Sequence, residues 1–321
     1  MVAFAGMRVV FFGTPAFAVP TLDALLESTH TVVAVVSQPD RPRGRGQQPS
    51  DAPIKARALA SGLPLLQPAT LKDAGFLSAL PGFSADIGVV AAYGKILSET
   101  VLAMPRLGMV NVHASLLPKY RGAAPVHRAI IAGERETGVT IIRLVKALDA
   151  GPMLASLSRP IGDEETSQEV ERHLASLGAA LLVSTLDRLA AGHVPETAQD
   201  DAAATYAPRL TKEDGLIDWS QSARDIHNLV RGVHPWPRAY TSLDGHRLIV
   251  YRSRSLVDIE DQPQLSPGAI TLARGDYLHV ATGAGTLAIL EIQAEGRRVM
   301  SVREFLAGHP LKTGDRFAAD R

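Results

Sequence analysis

Gly108-Met109-Val110-Asn111-Val112-His113 leads through Ala114 into Ser115-Leu116-Leu117-Pro118-Lys119-Tyr120-Arg121-Gly122-Ala123-Ala124-Pro125, and Leu148-Asp149-Ala150-Gly151-Pro152 follows downstream. The first segment reads as a short strand with Met109, Val110 and Val112 as its apolar positions. Residues i and i+2 of a strand share a face, so the Asn111 amide and the His113 imidazole project together. An amide donor beside an imidazole can cradle a developing oxyanion, and a nearby carboxylate can hold the imidazole charged or take a proton. Any one of these residues alone more often caps a helix or fills a turn. The long Pro- and Gly-rich stretch behind them raises the odds of function, because a strand-to-helix turn needs far fewer residues.

Working outward, Met7 to Phe12, Thr31 to Val36, Asp86 to Ala91, Met109 to Val112 and Val139 to Leu144 all read as buried strands. Ala16 to Glu27 and Ala52 to Ala60 read as helices between them. Apolar strands alternating with helices predict an α/β, Rossmann-like domain built on a mostly parallel sheet covered on both faces. The turn Phe12-Gly13-Thr14-Pro15 lacks Gly-x-Gly-x-x-Gly and is not read as a dinucleotide site. Thr166 to Ala191 carries Val170, Leu174, Leu177, Leu181, Leu182, Leu186 and Leu189 near the 3.6-residue period of one long amphipathic helix. Val194 to Ala204 is polar and aperiodic. Beyond it a helix is expected from Ser222 to Val230. Short strands are expected at Ala239 to Leu243, Arg247 to Arg252, Gly268 to Leu272, Tyr277 to Ala281 and Leu287 to Gln293, a pattern that suggests a small OB-like β-barrel. The expected division is a catalytic domain over 1–192, a linker over 193–206 and the barrel domain over 207–321.

Composition narrows the chemistry. The 321 residues suit two domains. Lys plus Arg equals Asp plus Glu at 33 each, which argues against binding nucleic acid through bulk charge. Charge is uneven locally. Residues 38–57 carry Arg41, Arg43, Arg45, Lys55 and Arg57 against Asp40 and Asp51, and residues 100–133 carry Arg106, Lys119, Arg121 and Arg128 with no acid. From Ala207 to Arg321 the signs nearly cancel, with 15 basic and 14 acidic side chains, so the barrel offers at most a local basic patch. The absence of cysteine excludes disulfides, thiolate catalysis and Cys-ligated zinc. No His/carboxylate cluster has convincing ligand spacing, so no metal is expected. Met1 to Gly6 is too short for a signal peptide and no apolar run nears a membrane span, so the default is a cytoplasmic protein with no membrane partner. A monomer is expected.

The chain resembles the formyltransferase family that uses 10-formyltetrahydrofolate. The resemblance rests on Phe12-Gly13-Thr14-Pro15, Gln38-Pro39-Asp40-Arg41-Pro42-Arg43-Gly44-Arg45-Gly46, Asn111-Val112-His113, Ser115-Leu116-Leu117-Pro118, Arg121-Gly122-Ala123-Ala124-Pro125 and Leu148-Asp149-Ala150-Gly151. Farther on it rests on Ile217-Asp218-Trp219, Ile226-His227-Asn228-Leu229-Val230-Arg231 and Pro235-Trp236-Pro237. It runs from Met7 to about Phe317. Two positions depart from the family pattern: Ala147 where Gly is usual, and Tyr120 where Trp is common. The resemblance implies that Asn111, His113 and Asp149 are catalytic, with the proton-transfer split between His113 and Asp149 left open. It implies that Ser115, Leu116, Leu117 and Pro118 border the folate, and that no metal takes part. The basic loop and the C-terminal motifs imply, as acceptor, the amino group of methionine carried on initiator tRNA, with Arg41, Arg43 and Arg45 at the tRNA. Trp236, between two prolines, reads as packing more than as a stacking platform. Two alternatives stay open. One is a formyltransferase or hydrolase using the same folate with a sugar-nucleotide amine, a ribonucleotide amine or water. The other is a non-catalytic RNA-binding protein.

Overall fold

A computed structural model describes residues 6–43, 48–256 and 265–318, giving backbone only for 41–43 and 48–50. The chain divides into two compact units. The first comprises 1–125, 136–159 and 171–207; the second comprises 126–135, 160–170 and 208–321. Two short pieces from the N-terminal half therefore count with the second unit. Residues 193–206, read from the sequence as a linker, count with the first. Among the described residues, no helix is long and apolar enough to cross a membrane.

The first unit is built on seven strands in the order β10-β9-β7-β6-β1-β2-β5. These are β1 (Arg8–Gly13), β2 (Thr31–Val36), β5 (Leu65–Leu66), β6 (Ile87–Ala91), β7 (Met109–His113), β9 (Glu136–Arg143) and β10 (Met153–Pro160). β1, β2, β5, β6 and β7 pair in parallel, as near-continuous apolar runs buried on both faces do. β9 departs from the expected parallel pattern. It runs antiparallel to β7, setting Asn111 opposite Ile142 and His113 opposite Thr140. Its apolar pattern fits either direction, so the sequence could not distinguish them. β10 was not anticipated, because several of its residues are exposed and break the apolar run. Two small pairs complete the unit. β3 (Arg41–Arg43) pairs antiparallel with β4 (Gln48–Ser50), and β8 (Arg121–Gly122) pairs in parallel with β11 (Tyr206–Ala207).

The helix Ser167–Ala190 reproduces the expected amphipathic helix. Gly178 lies on its packed face: a Cβ there would come within 2.7 Å of Val112 on β7, so the absent side chain lets helix and sheet approach closely.

The second unit holds β12 (Ala239–Leu243), β13 (His246–Leu256), β14 (Ile270–Arg274), β15 (Tyr277–Ala281), β16 (Thr286–Ala294) and β17 (Met300–Ser301). They form one antiparallel, barrel-like sheet in the order β12-β13-β16-β15-β14, with β17 on β16. Inward positions of these strands, including Leu248, Val250, Leu278, Val280, Leu287 and Ile289, make its core with Trp219, Phe305 and Phe317. The helix Ala223–Gly232 begins at Ser222, whose hydroxyl accepts a hydrogen bond from the Asp225 amide. The helix Val302–Gly308, not read from the sequence, opens with a capping box between Ser301 and Glu304.

Candidate active site

In a parallel sheet, ligands are met where strands end, because loops there are free to carry side chains over the sheet edge. In the first unit the carboxyl ends of β1, β2 and β6 are stitched together. Thr14 Oγ1 donates to the Tyr93 carbonyl at 3.2 Å, and Gln38 Nε2 donates to the same oxygen at 2.6 Å. The Gln38 amide in turn donates to Thr14 Oγ1 at 3.3 Å. Tyr93 is buried edge-on against Phe12, and burial pushes its phenol up to about 12. β7 ends on the same edge, with Asn111 beside Val90 of β6.

The structure brings Asn111, His113 and Asp149 into one unit and sets two of them side by side. His113 is buried, and its Nε2 lies 3.0 Å from the Tyr120 carbonyl oxygen. A carbonyl only accepts, so this contact places a proton on Nε2. Nδ1 lies 3.6 Å from Asp149 Oδ2. A further proton between Nδ1 and the carboxylate can be held by either group. Asn111 is half-buried, and its side chain has no hydrogen-bond partner among the described residues. Its amide remains available to an incoming oxygen.

Asp149 sits in the left-handed region at φ 49°, as does Tyr120 at 61°. Two glycines hold these turns. The Gly122 amide donates to Asp149 Oδ2 at 2.9 Å. A Cβ on Gly122 would stand 2.7 Å from the Ala207 carbonyl oxygen, at a φ of 125° that L side chains avoid. A Cβ on Gly151 would stand 1.9 Å from the Arg143 carbonyl oxygen, so only glycine lets the Asp149 turn lie against the end of β9. Ala147 lies exposed with no left-handed φ, so its departure from the family pattern introduces no strain.

The segment Ser115–Pro118 is fixed by one buried hydroxyl. Thr140 Oγ1 donates to the Ser115 carbonyl at 2.7 Å and accepts from the Leu117 amide at 3.2 Å. The Ser115 hydroxyl donates to the Lys119 carbonyl at 2.7 Å. The Leu117 side chain is buried, and Leu116 fills the space that a Cβ on Gly138 would take. Leu116 itself is half-buried and Leu117 buried, so part of the Leu116 side chain still reaches the surface of the loop.

The sequence also expected positive local charge, and the structure reduces it. Arg106 pairs with Asp86 at 3.1 Å and Arg121 with Asp201 at 2.7 Å. In the second unit, Arg128 pairs with Asp214 at 2.8 Å. Each partner lies outside 100–133, where a window count cannot see it. In the other basic segment, both acids bind Lys55: Asp40 at 2.5 Å and Asp51 at 2.8 Å. That hydrogen bond holds the Asp40 carboxyl below the usual carboxylate range. The hairpin β3–β4 springs from this anchor. Its strand β3 contains Arg41 and Arg43, whose side chains are not described, and Arg45 lies outside the described residues.

Sequence reading missed Thr140, Gly122, Arg121 and Gln199 as parts of this site. Gln199 donates to the Asp149 carbonyl at 2.7 Å and the Gly151 carbonyl at 2.8 Å, and it accepts from Arg121. It stands in a polar, aperiodic stretch and carries no pattern of its own.

Comparison with known proteins identifies the family of the chain. The family described as formyl transferase matches residues 7–186, and its C-terminal domain matches 209–310. The methionyl-tRNA formyltransferase of Citrifermentans bemidjiense is 48% identical over 309 residues, covering 96% of each chain. That of Methylococcus capsulatus is 47% identical over 305 residues, covering 95% of this chain and 98% of the relative. Among solved structures, the N-formyltransferase of Helicobacter canadensis, in complex with folinic acid and dTDP-3-aminofucose, shares the fold. Its TM-score is 0.65 at 16% identity, over 90% of this chain and 99% of that one. HypX from Aquifex aeolicus, in complex with tetrahydrofolic acid, has a TM-score of 0.63 at 16% identity, over 98% of this chain and 51% of its own. By both domains, and by identity along nearly its whole length, the chain belongs to the formyl transferase family, on its methionyl-tRNA formyltransferase branch.

Proposed function

We propose that this enzyme transfers the formyl group of 10-formyltetrahydrofolate to the α-amino group of methionyl initiator tRNA, in the cytoplasm, as a step toward translation initiation. The observation that carries the reading is the half-buried Asn111 amide, without a hydrogen-bond partner among the described residues, on the same strand face as His113, whose Nδ1 lies 3.6 Å from Asp149.

Attack of the amine on the formyl carbon puts negative charge on the formyl oxygen, and a preorganised donor lowers the barrier most where that charge develops. Asn111 is the donor assigned to it. His113 Nε2 faces the Tyr120 carbonyl, which leaves the proton work to the other side of the ring. Asp149, with His113 Nδ1, takes the proton that the attacking amine loses, and the pair returns a proton to the departing folate nitrogen. Folate is a substrate here. The Ser115–Pro118 backbone, held by Thr140, is assigned to its ring system, and the β6 end from Val89 to Tyr93 borders the same edge. Arg41, Arg43 and Arg45 are assigned to the tRNA end, where guanidinium groups meet phosphates or stack on unpaired bases.

The test is to incubate the enzyme with 10-formyltetrahydrofolate and charged initiator tRNA, with charged elongator tRNA, and with free methionine. Formylation of the initiator species at a kcat/KM at least tenfold above the other two is expected. Equal rates on free amine and initiator tRNA would overturn the assignment of the acceptor.

A further inference from the structure

Asp149 holds a backbone conformation that side-chain-bearing residues adopt at a cost of about 1 kcal/mol, even though Asp tolerates it better than most. Something outside its own turn must keep it there with the carboxylate aimed at His113. The structure supplies this from an unexpected part of the chain. After the long helix, residues 197–207 return across the first unit as a strap. Thr197 and Met153 exchange backbone hydrogen bonds at 2.8 and 2.9 Å. Thr205 accepts from the Arg121 amide through its carbonyl and from the Tyr120 amide through its hydroxyl, both at 2.8 Å.

Gln199 is the point where this strap meets Asp149. Its Nε2 donates to the Asp149 carbonyl at 2.7 Å and to the Gly151 carbonyl at 2.8 Å. Its Oε1 accepts from Arg121 Nε at 3.0 Å and Nη2 at 2.8 Å. The orientation of the amide is fixed by chemistry: a guanidinium only donates and a carbonyl oxygen only accepts, so a flipped amide would oppose donor to donor and acceptor to acceptor. Arg121 is only 4% exposed, and its Nη2 also reaches Asp201. The next residue, Gly122, donates its amide to the Asp149 carboxylate. The contacts close a ring. Gln199 grips the main chain on both sides of Ala150, Gly122 grips the carboxylate, and Arg121 ties the two grips together. Glutamine alone among the amino acids supplies both faces at this reach, since glutamate cannot donate and methionine can do neither.

We propose that Gln199 is the positioning residue for Asp149, holding its turn so that the carboxylate faces His113 Nδ1 during proton transfer. The inference rests on the reading of Asp149 as a catalytic group. Positioning errors of about 1 Å in a proton-transfer group cost up to about 10²-fold in rate.

Five full-length enzymes test it: wild type, Gln199→Glu, Asp149→Ala, the double variant of these two, and Gln199→Met as a neutral replacement of similar length. Gln199→Glu keeps the Arg121 contact and loses both donations. Its kcat should fall about 30- to 100-fold, while KM for folate and for tRNA stays within about threefold and the thermal midpoint within a few degrees. Gln199→Met should lose kcat in the same direction, and it carries the test if the glutamate variant does not fold. In the Asp149→Ala background, adding Gln199→Glu should change the residual rate less than about threefold, because the group it positions is gone. A kcat within threefold of wild type in either Gln199 variant overturns the proposal. So does a Gln199→Glu penalty that persists in full without Asp149. Near wild-type turnover in Asp149→Ala alone would instead sink the catalytic reading of Asp149, and the positioning role with it.

Discussion

His113 in the first unit and His227 in the second are both buried, each with an Asn close by in sequence, yet they are built to opposite ends. His227 has a partner on each ring nitrogen: the Ser253 hydroxyl at 3.1 Å and the Asp163 carbonyl at 2.9 Å. The Asn228 carbonyl oxygen accepts from Arg231 at 2.8 and 3.2 Å, and Arg231 donates on to the Gly162 and Glu165 carbonyls. Every partner there is a fixed protein group. Around His113, the second ring nitrogen faces a carboxylate at 3.6 Å and the Asn111 amide meets nothing among the described residues. A polar cluster tied to fixed protein groups rigidifies a fold, whereas an amide with neither end bonded is open to a substrate. Residue type does not separate the two clusters; the state of their hydrogen bonds does.

The sharpest way to break this comparison is mutation on both sides. Asn111→Ala, His113→Ala and Asp149→Ala should each lower turnover by about 10² or more with folding intact, as loss of an oxyanion donor or a positioned proton carrier does. Two of the three folded variants retaining near wild-type turnover would show that the cluster is structural after all. Arg231→Met should behave in the opposite way. It leaves buried carbonyls unpaired, so stability should drop by about 2–3 kcal/mol in urea unfolding, with kcat of the folded enzyme within about threefold. A large loss of kcat in a stable Arg231→Met enzyme would make the second cluster functional.

Acid sharpens the contrast, because the second unit disfavours the charged form of four of its histidines. Burial lowers His227, His234 and His279 below the usual value, and burial with the neighbouring Arg128 pushes His127 down to about 4. Below the ordinary imidazole value these rings bind fewer protons when folded than when unfolded, and His127 stays neutral near pH 5 in the folded state. Unfolding therefore takes up protons, and stability falls as the pH drops from about 7 toward 4 and is regained above 6.5. His127 alone should contribute about 1.5 kcal/mol of the loss between pH 7 and pH 5, allowing for its partial exposure. Urea unfolding of wild type and His127→Gln at both pH values checks this: the variant should show the smaller difference, and equal differences would refute the assignment.

The smallest effect separates recognition from chemistry. Arg43→Ala with Arg45→Ala should raise the apparent KM for tRNA about three- to tenfold and flatten the salt dependence of tRNA binding, since fewer counterions are released. Folate affinity, titrated without RNA, should stay unchanged. Collapse of folate binding with intact tRNA binding would move the hairpin into the folate pocket.

Much of the fold was legible locally. Thr31–Val36, Ala239–Leu243 and Tyr277–Ala281 form strands at the bounds that their apolar patterns imply, and the long helix starts and stops within a residue of its periodic stretch. The shared face of Asn111 and His113 followed from strand periodicity alone. The charge of residues 100–133 was not legible, because the carboxylates opposing Arg106, Arg121 and Arg128 come from elsewhere in the chain.

By itself, then, the sequence determined which residues could line one strand face, where apolar runs demand burial, and the family motifs that pick out Asp149. Periodicity and side-chain chemistry are local properties, and a window of a few residues contains them. Tertiary structure decided the antiparallel pairing of β9, the carboxylates that neutralise the basic segment, and the return of Gln199 to the site. That residue meets Arg121 from 78 positions away and Asp149 from 50. Bonds across such distances depend on how the whole chain closes, and a polar side chain in an aperiodic stretch carries no local sign of the partner it will find.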